Sequence, residues 1–296
     1  MLENLKTEKR NLDSMNLDEL SIFEIIDLMN KEDLNVIATV KKELHAIKKV
    51  IEQCVQSIKN GGRIIYVGAG TSGRIGILDA IECPPTFGIE PNVVIGILAG
   101  GNDSMFAKEE AEDSYELGQK NMKELKILKE DIVIGLAASG RTPFVIGALD
   151  YANNVQATTA CITCNKNTEI AKHVSYPIEI DNGPEILTSS TRLKAGTSQK
   201  MVCNMISTAT IIQLGKVYEN LMVDVDVSNE KLYQRWLSIV KTATNCSEET
   251  AIKFYEKSHH NAKAAICMIK LGYSYKEAIV ELEKNDGFVK RVLNKI

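Results

Sequence analysis

Two short turns in this chain carry the same tripeptide. Gly68-Ala-Gly-Thr-Ser-Gly-Arg74 and Ala137-Ala-Ser-Gly-Arg-Thr-Pro143 each place Ser-Gly-Arg between an apolar run and a helical stretch. A helix N-terminus offers unpaired backbone N–H groups and the positive end of the helix dipole, which together favour a phosphate. Thr71, Ser72 and Gly73 in the first turn, and Ser139, Gly140, Arg141 and Thr142 in the second, are therefore candidate phosphate-binding residues. A third loop, Thr188-Ser-Ser-Thr191, heads another helical stretch; it adds Ser189, Ser190 and Thr191, with Arg192 and Lys194 beside them. Three hydroxyl-rich loops suit a single phosphate monoester. Gly68-x-Gly70-x-x-Gly73 also satisfies a dinucleotide pattern, but that pattern needs an acid at the end of the second strand. Here the second strand ends in Ala99-Gly-Gly-Asn102, with Asp103 only after it.

The acids come next. Glu82 stands in Ala80-Ile-Glu-Cys-Pro-Pro-Thr-Phe-Gly88, between an apolar run and two prolines. The prolines are expected to end the helix there. A carboxyl in such an apolar corner would have its pKa raised by desolvation, as suits a proton donor. Lys108-Glu-Glu-Ala-Glu-Asp113 is expected to put Glu109, Glu110, Glu112 and Asp113 on a helix, where at most one or two face inward. Glu185 is a third candidate, adjacent to the Ser/Thr loop. Cys83 is a candidate nucleophile, with no histidine near it in sequence to activate it, whereas His45, His173, His259 and His260 adjoin no glycine loop and read as structural. Cys161 and Cys164 lie three apart in a β-rich run and point to opposite faces, which argues against a metal site.

These residues need a scaffold. Residues 17–60 read as a long helical region ending at Gly61-Gly62. Strands are expected at 63–67, 92–98, 131–137, 157–163 and 174–180. Helices are expected from about 71, over 104–129 and over 143–152, and a long one over 199–219. Short Val/Ile-rich strands alternating with helices mean a doubly wound, mainly parallel α/β sheet, with ligands at the carboxyl ends of its strands. The expected division is a helical N-terminal segment (1–60), the α/β domain that carries the phosphate loops (61–225), a connecting helix (226–244) and a small three-helix C-terminal domain (245–296).

Bulk properties exclude several classes. Among 296 residues, 35 Lys and Arg stand against 39 Asp and Glu, a net charge of −4, so no basic surface invites nucleic acid or an anionic membrane. The first twenty residues are too charged for a signal peptide, and no apolar run approaches a membrane span. Seven scattered cysteines, an odd number, fit a reducing, cytoplasmic setting.

With these motifs assembled, the chain resembles the bacterial N-acetylmuramic acid 6-phosphate etherases, built on the flavodoxin-like sugar isomerase (SIS) fold. The resemblance rests on Thr7-Glu-Lys-Arg-Asn11, GAGTSGRIGILDAIECPPTFG (68–88), GLAASGRTPFVIGAL (135–149), SSTRLKAGTSQK (189–200) and NLMVDVDVSNEKL (220–232). It implies a carbon–oxygen lyase of cell-wall amino sugar recycling that needs no metal or nucleotide cofactor. Such an enzyme releases D-lactate from the lactyl ether and leaves N-acetylglucosamine 6-phosphate, by elimination and then addition of water. It further implies that Glu82, of the E-C-P-P motif, and Glu112, of the A-E-D-S motif, are the catalytic acids. Either can be assigned as the base at C2, and the residues leave that division open. An aldose–ketose isomerase using Glu185 and a non-catalytic phosphosugar sensor are the competing readings. An unbroken helix from Thr71 to Ile81 would put Glu82 about 15 Å along its axis from the phosphate turn. A homodimer, with sites near the subunit interface, is therefore expected; a short or bent helix is the alternative.

Overall fold

The computed structural model describes residues 5–101, 109–225, 227 and 229–294. Five strands, β1 (Ile64–Gly68), β2 (Val94–Leu98), β3 (Ile132–Ala137), β4 (Thr158–Thr163) and β5 (Tyr176–Glu179), form one sheet in the order β2-β1-β3-β4-β5. Every pairing is parallel. β1 and β3 are buried along their whole length, which is why they read as unbroken Val/Ile runs rather than alternating ones. The expected doubly wound α/β class is the one that forms.

Helices cover both faces. Ile65, Val67 and Val133 point into a core shared with Met122, Phe144 and Leu149 of helices α4 (Tyr115–Glu124) and α5 (Pro143–Asn154). Tyr66 points the other way, and its hydroxyl donates to the Cys203 carbonyl of α6 (Lys194–Gln213) at 3.4 Å. Helix α3 (Gly70–Phe87) lies on that face too: a Cβ at Gly76 would come within 2.9 Å of the Tyr66 Cβ. Before the sheet, the expected single helical region divides at Glu43 into α1 (Ile22–Lys42) and α2 (Leu44–Lys59). α1 opens on a capping box made by Ser21 and Glu24.

Three further expectations are corrected. Pro84 and Pro85 do not end α3, which runs on to Phe87 with Gly88 N bonded to Pro84 O at 2.9 Å. Cys83 and Phe87 are both buried, four residues apart on one helix face, and their packing outweighs the two hydrogen bonds that the prolines remove. The described part of the expected 104–129 helix is only α4, because Ser114 N-caps it through Leu117 N and leaves Glu112 and Asp113 outside; the start of that segment, Asp103 included, lies outside the described residues. α6 begins five residues earlier than expected.

The chain divides into two compact units, residues 1–81 with 91–207, and 82–90 with 208–296. In the second, a hairpin of β6 (Val217–Tyr218) and β7 (Leu221–Met222) precedes α7 (Glu230–Thr244), α8 (Glu248–Lys257), α9 (Ala262–Leu271), α10 (Tyr275–Lys284) and α11 (Val289–Leu293). Among the described residues four helices thus follow residue 245, where three were expected. Alanines 262, 264 and 265 bury α9 among its neighbours, and the Trp236 indole donates to His260 O at 2.7 Å. Among the described residues no helix is long and apolar enough to cross a membrane.

One buried carboxylate fastens α3 to α6. Asp79 Oδ1 accepts from Asn204 Nδ2 at 2.6 Å and from Ser207 Oγ at 3.1 Å. Burial pushes the Asp79 carboxyl above its ordinary range, while the bonds from Asn204, Ser207 and Tyr66 pull it partly back. A carboxyl raised in the folded state stabilises most in acid, and that contribution is lost as pH climbs from the ordinary carboxylate range through the raised value. Thermal melts across this window should therefore show wild type losing ground to Asp79→Asn as pH rises, by at most about 1.4 kcal/mol per pH unit. Parallel curves would contradict the assignment.

Candidate functional site

In this strand order the chain leaves β1 toward one edge of the sheet and β3 toward the other, so the crevice lies between their carboxyl ends. Gly68 and Leu136 are paired across that point. The two Ser-Gly-Arg turns follow directly, so the topology sets them side by side at the mouth of the crevice. Their glycines have structural duties. A Cβ at Gly73 would lie 2.5 Å from Gly68 O, so Gly73 lets α3 sit on β1 and is not free to serve as a ligand cradle alone. Gly140 has φ +70°, and a Cβ there would lie 2.4 Å from the Thr168 side chain.

The hydroxyls divide into two sets. Ser72 is buried and donates to Gln199 Oε1 at 2.8 Å, and Thr142 donates to Glu112 Oε1 at 3.1 Å. No hydrogen bond among the described residues engages the side-chain hydroxyls of Thr71, Ser139, Ser189, Ser190 or Thr191. Ser189 is exposed with φ +64°, and Arg141 is exposed. Position 196 of α6 lies 3.6 Å from the Thr71 methyl and 3.6 Å from Thr191 O, measured from an ideal Cβ at Gly196, so the first and third loops approach each other.

The third loop departs from expectation in two ways. The N-terminus of α6 already holds an anion, since Glu185 accepts from Lys194 N and Ala195 N at 2.9 Å each. A helix N-terminus attracts negative charge, and here the chain supplies its own. Glu185 is 1% exposed, and burial raises its pKa against the pull of those two N–H groups. Lys194, expected to face a phosphate, is 2% exposed and paired with Glu32, whose Oε2 also accepts from Asn11 Nδ2 at 2.9 Å. Its charge is spent inside the fold.

Glu112 is placed by the second turn. It follows a single 3₁₀ turn (Glu109–Ala111) instead of lying on a helix. Besides the Thr142 bond to its carboxylate, its carbonyl accepts from Phe144 N at 3.0 Å. α4 and α5 meet glycine against backbone: a Cβ at Gly118 would fall 2.0 Å from Phe144 O, and one at Gly147 the same distance from Tyr115 O. The Tyr115 hydroxyl donates to Asp150 Oδ2 at 2.9 Å, and Asp150 Oδ1 meets His173 Nδ1 at 2.7 Å. Glu112, Ser139 and Thr142 are thus gathered at one end of the crevice. Glu82 belongs to the second unit and is exposed, so the desolvated pocket expected around it is not what this chain alone presents.

Several contributors had weak signals in the sequence. Asn165 Nδ2 donates to Ala138 O at 3.1 Å and to Thr7 Oγ1 at 3.0 Å, which ties the Thr7–Asn11 motif to the β3 turn. Gln199 and Glu32 are joined to their partners across more than a hundred residues. Cys161 and Cys164 are buried, and burial pushes both thiols up to about 12, so neither is a ready nucleophile.

A parallel sheet with paired hydroxyl-bearing turns at its switch point defines a SIS-domain protein. Residues 46–153 match the glucokinase regulatory protein N-terminal SIS domain and 110–209 the SIS domain, while 219–285 match the C-terminal lid domain of glucokinase regulatory protein. A solved structure from Bacteroides fragilis NCTC 9343, described as a candidate phosphosugar isomerase involved in capsule formation, shares the fold. Its TM-score is 0.51 at 19% identity, over 67% of this chain and 94% of that one. The sequence goes further. The chain is 54% identical, over 99% of its length and 100% of theirs, to the N-acetylmuramic acid 6-phosphate etherases of Bacillus cereus (strain 03BB102) and Bacillus anthracis (strain CDC 684 / NRRL 3495). It belongs to the N-acetylmuramic acid 6-phosphate etherase family.

Proposed function

We propose that this chain cleaves the lactyl ether of N-acetylmuramic acid 6-phosphate, giving N-acetylglucosamine 6-phosphate and D-lactate, with Glu112 and Glu82 as its catalytic residues. The observation that carries the site assignment is the Thr142–Glu112 bond, which holds a carboxylate against a phosphate-type turn. The 6-phosphate is taken by the Thr71–Gly73 and Ser139–Thr142 turns, with Ser189, Ser190 and Thr191 at their edge. In the ring-opened sugar the C2 proton is acidified by the C1 aldehyde. One glutamate removes that proton, the C3–O bond breaks, and the departing lactyl oxygen takes a proton from the other. Water then adds at C3 of the unsaturated aldehyde, giving up one proton to a carboxylate, and C2 is reprotonated. Atoms balance as one water consumed and one lactate released. General acid–base help of this kind accelerates such steps by about 10²- to 10⁴-fold. A D-lactate assay with this substrate tests the reading.

The isomerase alternative would use Glu185 as its base. Its burial and its two bonds to α6 backbone amides disfavour that role.

The active unit in this reading is a homodimer. α3 is unbroken from Gly70 to Phe87, so the bent-helix alternative loses its support. Apolar residues stand exposed on α1 (Ile22, Phe23, Ile26, Leu34, Ile37) and on α3 (Leu78, Ile81), as a subunit interface requires. If Glu82 and Glu112 of one site come from different subunits, mixing Glu82→Gln with Glu112→Gln chains regenerates one intact site per mixed dimer. Lactate release should then return to the mixture, whereas a site built within one subunit leaves every mixture inactive. The seven free cysteines, six of them buried, fit an enzyme working in a reducing cytoplasm.

A further inference from the structure

The segment that carries the Thr7–Asn11 motif forms one wall of a cleft of about 350 Å³, opposite the loop leading into Ser189. Its lining includes Arg10, Met15, Leu17, Ile186, Leu187 and Thr188. The wall is fixed from behind: Thr7 is bonded to Asn165, Asn11 to Glu32, and Ser14 Oγ donates to Ile186 O at 2.7 Å. Arg10 itself is exposed, and no hydrogen bond among the described residues engages its guanidinium. A preformed cleft therefore presents one uncommitted guanidinium among four apolar side chains, next to a candidate phosphate loop.

We infer that this cleft is the subsite for the lactyl group, with Arg10 binding its carboxylate; the inference rests on the etherase reading above. The lactyl group is a carboxylate and a methyl on one carbon. A guanidinium matches the first through paired N–H donors. Met15, Leu17, Ile186 and Leu187 match the second. Thr188 is contiguous with Ser189–Thr191, so a sugar whose phosphate lies at those loops has its 3-substituent within reach of the cleft. Asp18 also lines the cleft and opposes an anion there, so it tunes the affinity downward.

The product N-acetylglucosamine 6-phosphate, which lacks the lactyl group, separates this role from phosphate binding. Arg10→Ala should raise KM for N-acetylmuramic acid 6-phosphate by about 10- to 100-fold, the range for losing a charge-assisted bond. Inhibition by N-acetylglucosamine 6-phosphate should stay unchanged, inhibition by D-lactate should weaken, and Arg10→Lys should recover part of the loss. Asp18→Asn should lower KM a few-fold. Equal losses of affinity for substrate and for N-acetylglucosamine 6-phosphate would move Arg10 to the phosphate and overturn the inference, as would an unchanged KM. Wild-type lactate release is measured first, so failure of the etherase reading is distinguished from failure of the subsite.

Discussion

Replacing Glu112 with glutamine should lower the rate of D-lactate release by about 10²- to 10⁴-fold while leaving the fold and phosphosugar binding intact. The substitution is nearly isosteric. Thr142 Oγ1 can still donate to the amide oxygen, and the Phe144 N to Glu112 O bond involves backbone only. What disappears is the capacity to take and return a proton. Glu82→Gln should show the same pattern, and because Glu82 is exposed it should not lower the melting temperature. Inhibition by N-acetylglucosamine 6-phosphate checks that each variant still binds. A Glu112→Gln enzyme with near wild-type turnover would remove Glu112 from the chemistry.

The largest stability effect is expected at Lys194. Its ammonium is buried beside the Glu32 carboxylate, so Lys194→Met leaves a buried negative charge whose one remaining hydrogen-bond partner among the described residues is the Asn11 amide. Breaking such a pair from one side costs about 3–5 kcal/mol, a large share of a typical domain's stability. Removing both charges, as Lys194→Met with Glu32→Gln, should recover most of that loss, since no buried ion is then left alone. Urea unfolding of the two single variants and the double variant measures the coupling. The double variant should also bind N-acetylglucosamine 6-phosphate within a few-fold of wild type. A collapse of that affinity in a well-folded double variant would return Lys194 to the phosphate site.

Much of the scaffold could be read from residue patterns, because they have local causes. Continuous Val/Ile runs such as Ile64–Val67 are what a strand buried on both faces requires, and the Ser-Gly-Arg turns mark where those strands meet helices. Where the reading failed, long-range packing decided. Pro84 and Pro85 look like a stop signal, yet Cys83 and Phe87 bury on one face and carry α3 another turn. Lys194 next to a Ser/Thr loop looks like an anion ligand until Glu32, 162 positions away, is found beside it. The acidic run ending in Glu112 and Asp113 reads as helix, although Ser114 carries the ordinary signature of an N-cap and starts the helix after them. The Glu185 carboxylate on the α6 amides has no local signature beyond its proximity to the loop.

In the proposed reaction the C3–O bond of the sugar breaks by elimination and water then adds at C3. Turnover of N-acetylmuramic acid 6-phosphate in ¹⁸O-labelled water measures this directly. D-lactate should be released without the label, and N-acetylglucosamine 6-phosphate should carry ¹⁸O at C3 together with solvent hydrogen at C2. Label in the lactate, or a C2 position that never exchanges, would contradict it.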